Sequence, residues 1–334
     1  MKTYPQLLSQ IFNRPHMMTP ELMAMAVEFS RVELMGAELA MPSQAAHPAN
    51  PPHMVNMAIQ AYEPSNGNED EDDEEDEDDL SMSALTVIPV AGPLVPRTGN
   101  LQMCQQMTAY ETVATQLDAA LADPQCQQII FDIDSPGGAS TGAFELANKI
   151  RAAGQLKPTT AIVNFSAFSG AYLIAAACND ISLSQSGGVG SIGVIAQHMD
   201  VSRMNEAMGI KITAVYRGDK KNNLSPNQPL DESSMAELDS MVERTYQQFV
   251  GAVANFRSLP QSQVIDTQAG LYFGQDAIEA GLADRLETPQ EAMNRIAAQV
   301  SSHRAASLSA ARQIQIQRQG LRMRASSMGL TVLL

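Results

Sequence analysis

An α/β fold with a parallel sheet and crossover helices is expected from three observations. Short apolar runs at Leu85–Val90, Gln128–Ile133 and Thr160–Phe165 have the length and texture of strands buried on both faces. Segments of helical spacing separate them: Phe144, Ala147 and Ile150 first, and later a stripe of Met235, Leu238, Val242, Phe249 and Val253. Turn signals punctuate the junctions, above all Asp134-Ser135-Pro136-Gly137-Gly138, where Pro lacks an amide and Gly admits positive φ. Strand–helix alternation of this kind needs crossover connections. In order, a helix is expected at Pro20–Leu34. The Thr160–Phe165 strand then runs directly into Ser169, and a loop follows at Ser186–Ser191. Next come a strand near Ile192–Ile195, a helix near Val201–Met208, a strand at Ile212–Tyr216 and a long helix over Asp231–Phe256.

Composition divides the 334 residues into four parts. Residues 1–60 form a Met- and Ala-rich N-terminal extension, 61–83 an acidic linker, 84–290 the α/β domain and 291–334 a C-terminal tail with six arginines and, beyond Glu291, no acidic residue. No internal repeat is visible. The eleven acidic residues Glu69–Asp79 account for −11 of the formal charge of −16, leaving −5 elsewhere. That distribution offers no basic groove for nucleic acid. The run itself reads as a solvated, self-repelling linker, or more sharply as a docking tail for a basic partner or a mimic of nucleic acid. Cys104, Cys126 and Cys178 are odd in number and lack a CxxC spacing, so neither a disulfide framework nor a zinc site is expected. No secretion signal and no apolar run long enough to cross a bilayer is evident, which suggests a soluble, intracellular chain. No cofactor is implied, and no His/Glu pairing at metal-ligand spacing occurs.

Ser169 is the candidate nucleophile. It stands where a strand meets a helix of small residues, so the helix N-terminus and the Gly170 amide face any developing negative charge. A serine hydroxyl needs a base to remove its proton. The usual Gly-x-Ser-x-Gly elbow is absent, and a serine at this position can equally be a helix cap. Gly137-Gly138 lets backbone amides approach a substrate carbonyl, as an oxyanion hole requires, and Gly187-Gly188-Val189-Gly190-Ser191 adds a second such turn. Lys221 is the candidate base, because burial can make an amine neutral; Lys220 beside it is the rival. His198 is the only histidine of the five in the central domain, and a Ser169–His198 pair is the imidazole alternative.

These stretches resemble the signal peptide peptidase A (SppA) family of serine proteases, within the ClpP/crotonase fold. The matching segments are Asp132-Ile133-Asp134-Ser135-Pro136-Gly137-Gly138, Ser169-Gly170-Ala171-Tyr172, Gly190-Ser191-Ile192-Gly193-Val194, Gly218-Asp219-Lys220-Lys221 and Tyr272-Phe273-Gly274-Gln275-Asp276-Ala277, continuing through Gly281-Leu282-Ala283-Asp284. The resemblance implies a Ser–Lys dyad of Ser169 and Lys221, with Ser191 holding the lysine amine and Gly138 and Gly170 forming the oxyanion hole. Ile88 to Thr98, followed by Met107-Thr108-Ala109-Tyr110, is similar to the head proteases of tailed bacteriophages, the minor capsid protein C type. That similarity implies action on scaffold, portal or capsid proteins inside a prohead in the host cytoplasm, with no nucleic acid or membrane partner. Short members of the family place serine and lysine from neighbouring protomers at one site, which implies a homo-oligomer. A host cytoplasmic peptidase, or a structural head protein that retains the fold, is the alternative. Acyl-CoA chemistry on the same fold is disfavoured, because it needs no Ser–Lys pair. The Ala-rich stretch Arg304–Arg312 is a candidate for self-trimming.

Overall fold

Three consecutive residues of one strand, Ile129, Ile130 and Phe131, are completely buried. Side chains of a strand alternate between faces, so such a run requires a sheet covered on both sides. The computed structural model describes residues 11–35, 84–97 and 107–327; the acidic run, Cys104 and the first ten residues lie outside them. The chain begins with β1 (His16–Met18), α1 (Pro20–Met35), β2 (Leu85–Ala91), β3 (Leu94–Val95), β4 (Thr108–Ala109), α2 (Tyr110–Ala122), β5 (Gln128–Ser135), β6 (Gly137–Ala139) and α3 (Ala143–Ala153). It continues through β7 (Thr159–Phe168), α4 (Gly170–Ala177), β8 (Asp180–Leu183), β9 (Gly188–Gly190) and α5 (Ser202–Ala207). The last elements are α6 (Glu232–Arg257), α7 (Gln261–Asp266), β10 (Leu271–Phe273), α8 (Gly274–Glu279), β11 (Arg285–Leu286) and α9 (Pro289–Ser327).

The main sheet is parallel through β2, β5, β7 and β8, and it forks at β7. The lower half of β7, Thr160–Val163, pairs with β8, whereas Ser166–Phe168 pairs with β9, to which β10 adds antiparallel. A second, four-stranded sheet runs β1-β6-β3-β4. Ile130 and Ile162 face Ala292 and Ile296 on the first turns of α9. Ile129, Phe131 and Ile133 face the larger cluster, which contains all of α4 except its leading glycine. This is the α/β, ClpP-like arrangement expected, with crossover helices joining parallel strands.

Every residue of α4 is buried. A helix threaded through the centre can pack on several elements only if its side chains are small, which accounts for Gly170, Ala171 and Ala175–Ala177. Its one large polar residue, Tyr172, donates its hydroxyl to the Leu282 carbonyl at 3.0 Å. Helix α6 starts on Asp231, whose carboxylate accepts the Ser234 N–H at 2.7 Å. Of its expected apolar stripe, Leu238, Phe249 and Val253 are buried, but Met235 is 54% exposed. The first half of α6 therefore rides at the surface.

Two expected strands are corrected. Ile212–Tyr216 forms no strand, because among the described residues no neighbouring strand takes its backbone groups; all residues from 206 to 221 are exposed. Of Ile192–Ile195, only Ile195 bridges, and its partner is His16 of β1 rather than a strand of the main sheet. In the opposite direction, β7 extends to Phe168 and Gly188–Gly190 is a strand where a loop was expected.

Two polar clamps close the C-terminal part of the domain. Arg257 donates to both carboxylate oxygens of Asp284, at 2.8 and 2.6 Å, and to the Gly281 carbonyl; Asp284 also accepts the Ile181 N–H. Replacing Arg257 with Ala should cost about 2–3 kcal/mol, below the usual figure for a buried pair. The discount applies because the Asp284 side chain keeps 34% of its surface in water. Denaturant unfolding of the purified variant measures this. Arg295 binds Glu287 at 2.6 Å and Asp180 at 3.1 Å. Burial by itself would raise the Glu287 carboxyl, but hydrogen bonds from Arg295 and Ser182 outweigh it and hold the group below the ordinary glutamate range. Its stabilising contribution is therefore present above that range and is lost as pH falls through the depressed value of the folded state. Wild type should lose more unfolding free energy than Glu287→Gln between about pH 6 and about pH 3.

Candidate active site

The end of β7 delivers Ser169 to the head of α4. Phe168 still pairs with Gly190, the Ser169 N–H donates to the Gly190 carbonyl at 2.8 Å, and the Ser169 carbonyl accepts the Leu173 N–H at 3.0 Å. Between those bonds the chain turns from strand to helix within one residue. Ser169 consequently takes φ 54° and ψ −115°, which a residue with a Cβ rarely adopts. Such a seat costs roughly 1–3 kcal/mol and persists only because the flanking bonds dictate it. The hydroxyl is buried and donates a long bond, 3.4 Å, to the Gly193 carbonyl. Only a weak interaction holds the proton, at the end of a helix whose first amides point the same way.

The Gly137-Gly138 turn meets Ser169 from the neighbouring strand. Ser135 Oγ donates to the Gly92 carbonyl at 2.7 Å and accepts the Gly137 N–H at 3.2 Å, closing the turn around Pro136. Gly137 has φ +94°, and a Cβ there would lie 2.9 Å from the Phe168 carbonyl and 3.0 Å from the Gly170 nitrogen. A Cβ on Gly138 would collide with the Leu94 backbone. Any larger residue would push the two segments apart. A Cβ on Gly170 would sit 3.5 Å from the Gly138 nitrogen, so the Gly138 and Gly170 backbones lie against each other beside Ser169. Tyr110 fixes this strand from behind by donating its hydroxyl to the Ala139 carbonyl at 2.7 Å. Burial pushes that phenol far above its ordinary value, so it stays a neutral donor.

Ser191 follows Gly190 directly. It too is buried with positive φ, 55°, and is held by its N–H on the Gly270 carbonyl and by the Gly193 N–H on its own carbonyl, each at 2.8 Å. Ser169, Gly138, Gly170 and Ser191 thus converge. Lys221 does not join them within one chain. It lies on an exposed turn with its N–H on the Gly218 carbonyl at 3.0 Å, beside exposed Asp219 and Lys220. Among the described residues, no hydrogen bond or ion pair links it to Ser169 or Ser191. His198 is not paired with Ser169 either: its Nδ1 meets the Asn13 carboxamide oxygen at 2.8 Å, and its buried Nε2 has no hydrogen-bond partner among the described residues.

The sequence did not foretell that β1 lies along this site. Met17 pairs with Gly138, and a Cβ on Gly137 would strike the Met17 carbonyl oxygen. Pro15 and Pro20 bracketing a short apolar stretch were the available signal.

A buried, strained serine set against a glycine pair at the strand ends of a largely parallel sheet defines the candidate site of an α/β protein. Residues 151–302 match the model of peptidase family S49. It is 36% identical to capsid assembly protease C of Escherichia phage lambda over 212 residues, 64% of this chain and 48% of that protein. Against head-tail preconnector protein GP5 of Enterobacteria phage P21 it is 33% identical over 222 residues, covering 66% and 44% of the two chains. With the chloroplastic serine protease SPPA of Arabidopsis thaliana it shares 25% identity over 202 residues, 60% of this chain and 30% of the other. The chain spans about half the length of the two phage relatives.

Removing the Cβ of Ser169 relieves the strain of its positive φ. Ser169→Gly should raise stability by about 1 kcal/mol, whereas Ser169→Ala, which keeps the Cβ, should leave it unchanged. Thermal unfolding of the two variants against wild type makes the comparison.

Proposed function

We propose that the protein is a serine endopeptidase with a Ser169–Lys221 dyad that processes scaffold, portal or capsid proteins during phage head assembly, acting in the prohead. Residues 84–290 are the protease domain in this reading, with 1–60, 61–83 and 291–334 as appendages. The observation that carries the proposal is the strained Ser169 facing the Gly138 and Gly170 backbones. Ser169 Oγ attacks a peptide carbonyl carbon as its proton passes to the Lys221 amine. The oxyanion accepts hydrogen bonds from the Gly138 and Gly170 N–H groups, whose positions are set before any charge develops. The lysine then protonates the leaving amine, and water hydrolyses the acyl-enzyme. The names of the two phage relatives support the substrate class.

An amine works as a base near neutral pH only where burial disfavours its charge. Lys221 is exposed in the single chain, at the end of a ledge carrying exposed Met208, Ile210, Ile212, Val215 and Tyr216. Val215 is 85% exposed. A ledge of that kind is costly to leave in water. A second copy laid on it would bury Lys221 beside the neighbour's Ser169 and Ser191, giving a homo-oligomer with shared sites.

Ser169→Ala and Lys221→Ala should each abolish cleavage of co-expressed scaffold and portal proteins, read by intact mass. Mixed in equal amounts before assembly, the two inactive variants should regain about a quarter of wild-type activity, the share of random neighbour pairs that unite an intact serine with an intact lysine. A mixture as dead as its components would rule out the shared site.

A further inference from the structure

We infer that Asn13–Thr19 is a peptide bound in the protein's own cleft as a substrate is bound, with Met17 immediately before the bond open to attack. The inference rests on the role proposed for Ser169 and adds the register, direction and side-chain preference of the cleft.

The segment lies between two backbones. On one side β1 runs antiparallel to β6, pairing His16 with Ala139, Met17 with Gly138 and Met18 with Gly137. On the other side His16 spends both its N–H and its carbonyl on Ile195, at 2.8 and 3.0 Å. Consecutive residues of a strand direct their backbone groups to opposite sides. With those of His16 turned to Ile195, the N–H and carbonyl of Met17 face Gly138. The position of the oxygen agrees, since a Cβ on Gly170 would lie 3.1 Å from the Met17 carbonyl oxygen and 3.5 Å from the Gly138 nitrogen. The Met17 carbonyl therefore occupies the place between Gly138 and Gly170 where the oxyanion of a substrate would form.

Both flanks are fastened. Upstream, Ser140 Oγ donates to the Pro15 carbonyl at 2.7 Å, and Asn13 bonds Gln197, Leu224 and His198. Downstream, the Thr19 N–H donates to the Pro136 carbonyl at 3.1 Å before α1 begins. The Met17 side chain is fully buried in the same core cluster as Leu94 and Tyr110. A sealed apolar pocket that accepts methionine should select a long, uncharged side chain at this position of any substrate. It also follows that no other peptide can enter until this segment leaves. Should attack occur in place, Ser169 Oγ forms an ester with the Met17 carbonyl carbon as the Met17–Met18 C–N bond breaks. The proton goes to the Met18 amine, and water then releases a Met17 carboxylate.

The test uses the full chain, wild type, Met17→Asp and Asn13→Ala, with a small fluorophosphonate as probe of Ser169. Amide exchange at Gly138 and Ile195 is followed in parallel. Met17→Asp should react roughly tenfold faster or more, because an unpaired carboxylate cannot remain in an apolar pocket. Asn13→Ala, which leaves the pocket untouched, should shift the same way by less. Both should lose protection at Gly138 and Ile195. A Ser169-dependent loss of residues 1–17 from wild type, seen by intact mass, would support the inference equally, since a bond is cut only where it is bound. Folded variants with unchanged reactivity and unchanged exchange would overturn the inference alone. Lost protection with no probe reaction in any of the proteins would remove the Ser169 assignment together with it.

Discussion

A parallel strand that must leave two neighbours and enter a buried helix within one residue has few backbone solutions, and the site is built around the one adopted at Ser169. Ala167 is still paired with Ser135 on one side, and Phe168 with Gly190 on the other. Helix α4 begins at Gly170, so Ser169 alone makes the turn. Only a sparsely populated φ/ψ joins the two, so the serine is lifted out of the sheet toward the β5–β6 turn. The rest follows from keeping that junction closed. β5 shifts register between Ile133 and Ser135, which bends its end toward Ser169. Gly137 and Gly138 leave no space for a Cβ, and α4 is made of small residues because it starts inside the core.

Elements whose stability is local in sequence were legible. Ile129 to Phe131 is apolar whatever surrounds it, and α6 announces itself by the spacing of its apolar residues. The misreadings share one cause, a pairing decided elsewhere in the chain. Gly188–Gly190 looks like a loop by composition. It is a strand because Ser166–Phe168 pairs with it on one side and Leu271–Phe273 on the other, and Gly188 is glycine because a Cβ there would come within 2.6 Å of the Phe273 ring. Ile212–Tyr216 looks like a strand, yet among the described residues no strand pairs with it. β1 is three residues long, and its partner β6 is more than a hundred positions away, so no window along the sequence could contain the pair.

The site divides the same way. Ser169, Gly170 and Ser191 follow the ends of the paired strands β7 and β9 of the main sheet, and Gly138 lies in β6 of the second sheet, which continues from the end of β5, so the sheet order brings them together. Lys221 could be singled out by type and spacing, but in the proposed shared site its distance from Ser169 depends on which chain supplies it. No pattern in a single sequence encodes that choice. His198 shows the converse. As the one histidine of the central domain it invites pairing with the serine, yet it is engaged by Asn13, a residue of the extension whose docking was not visible.

Asn13 also ties two functions together. Its side chain reaches the Leu224 carbonyl at 2.9 Å, three residues beyond Lys221, while the Leu224 N–H donates to Ser234 Oγ on the first turn of α6. Leu224 itself has φ 58°, a conformation that persists only under such constraint. The turn bearing the lysine is thus held between the segment that fills the cleft and the helix that leads away from it. In the proposed oligomer, a neighbouring protomer covering the exposed ledge from 206 to 221 would press on a turn fastened on one side to the segment that we infer fills the cleft. On those two proposals, assembly and access to Ser169 act on one set of hydrogen bonds.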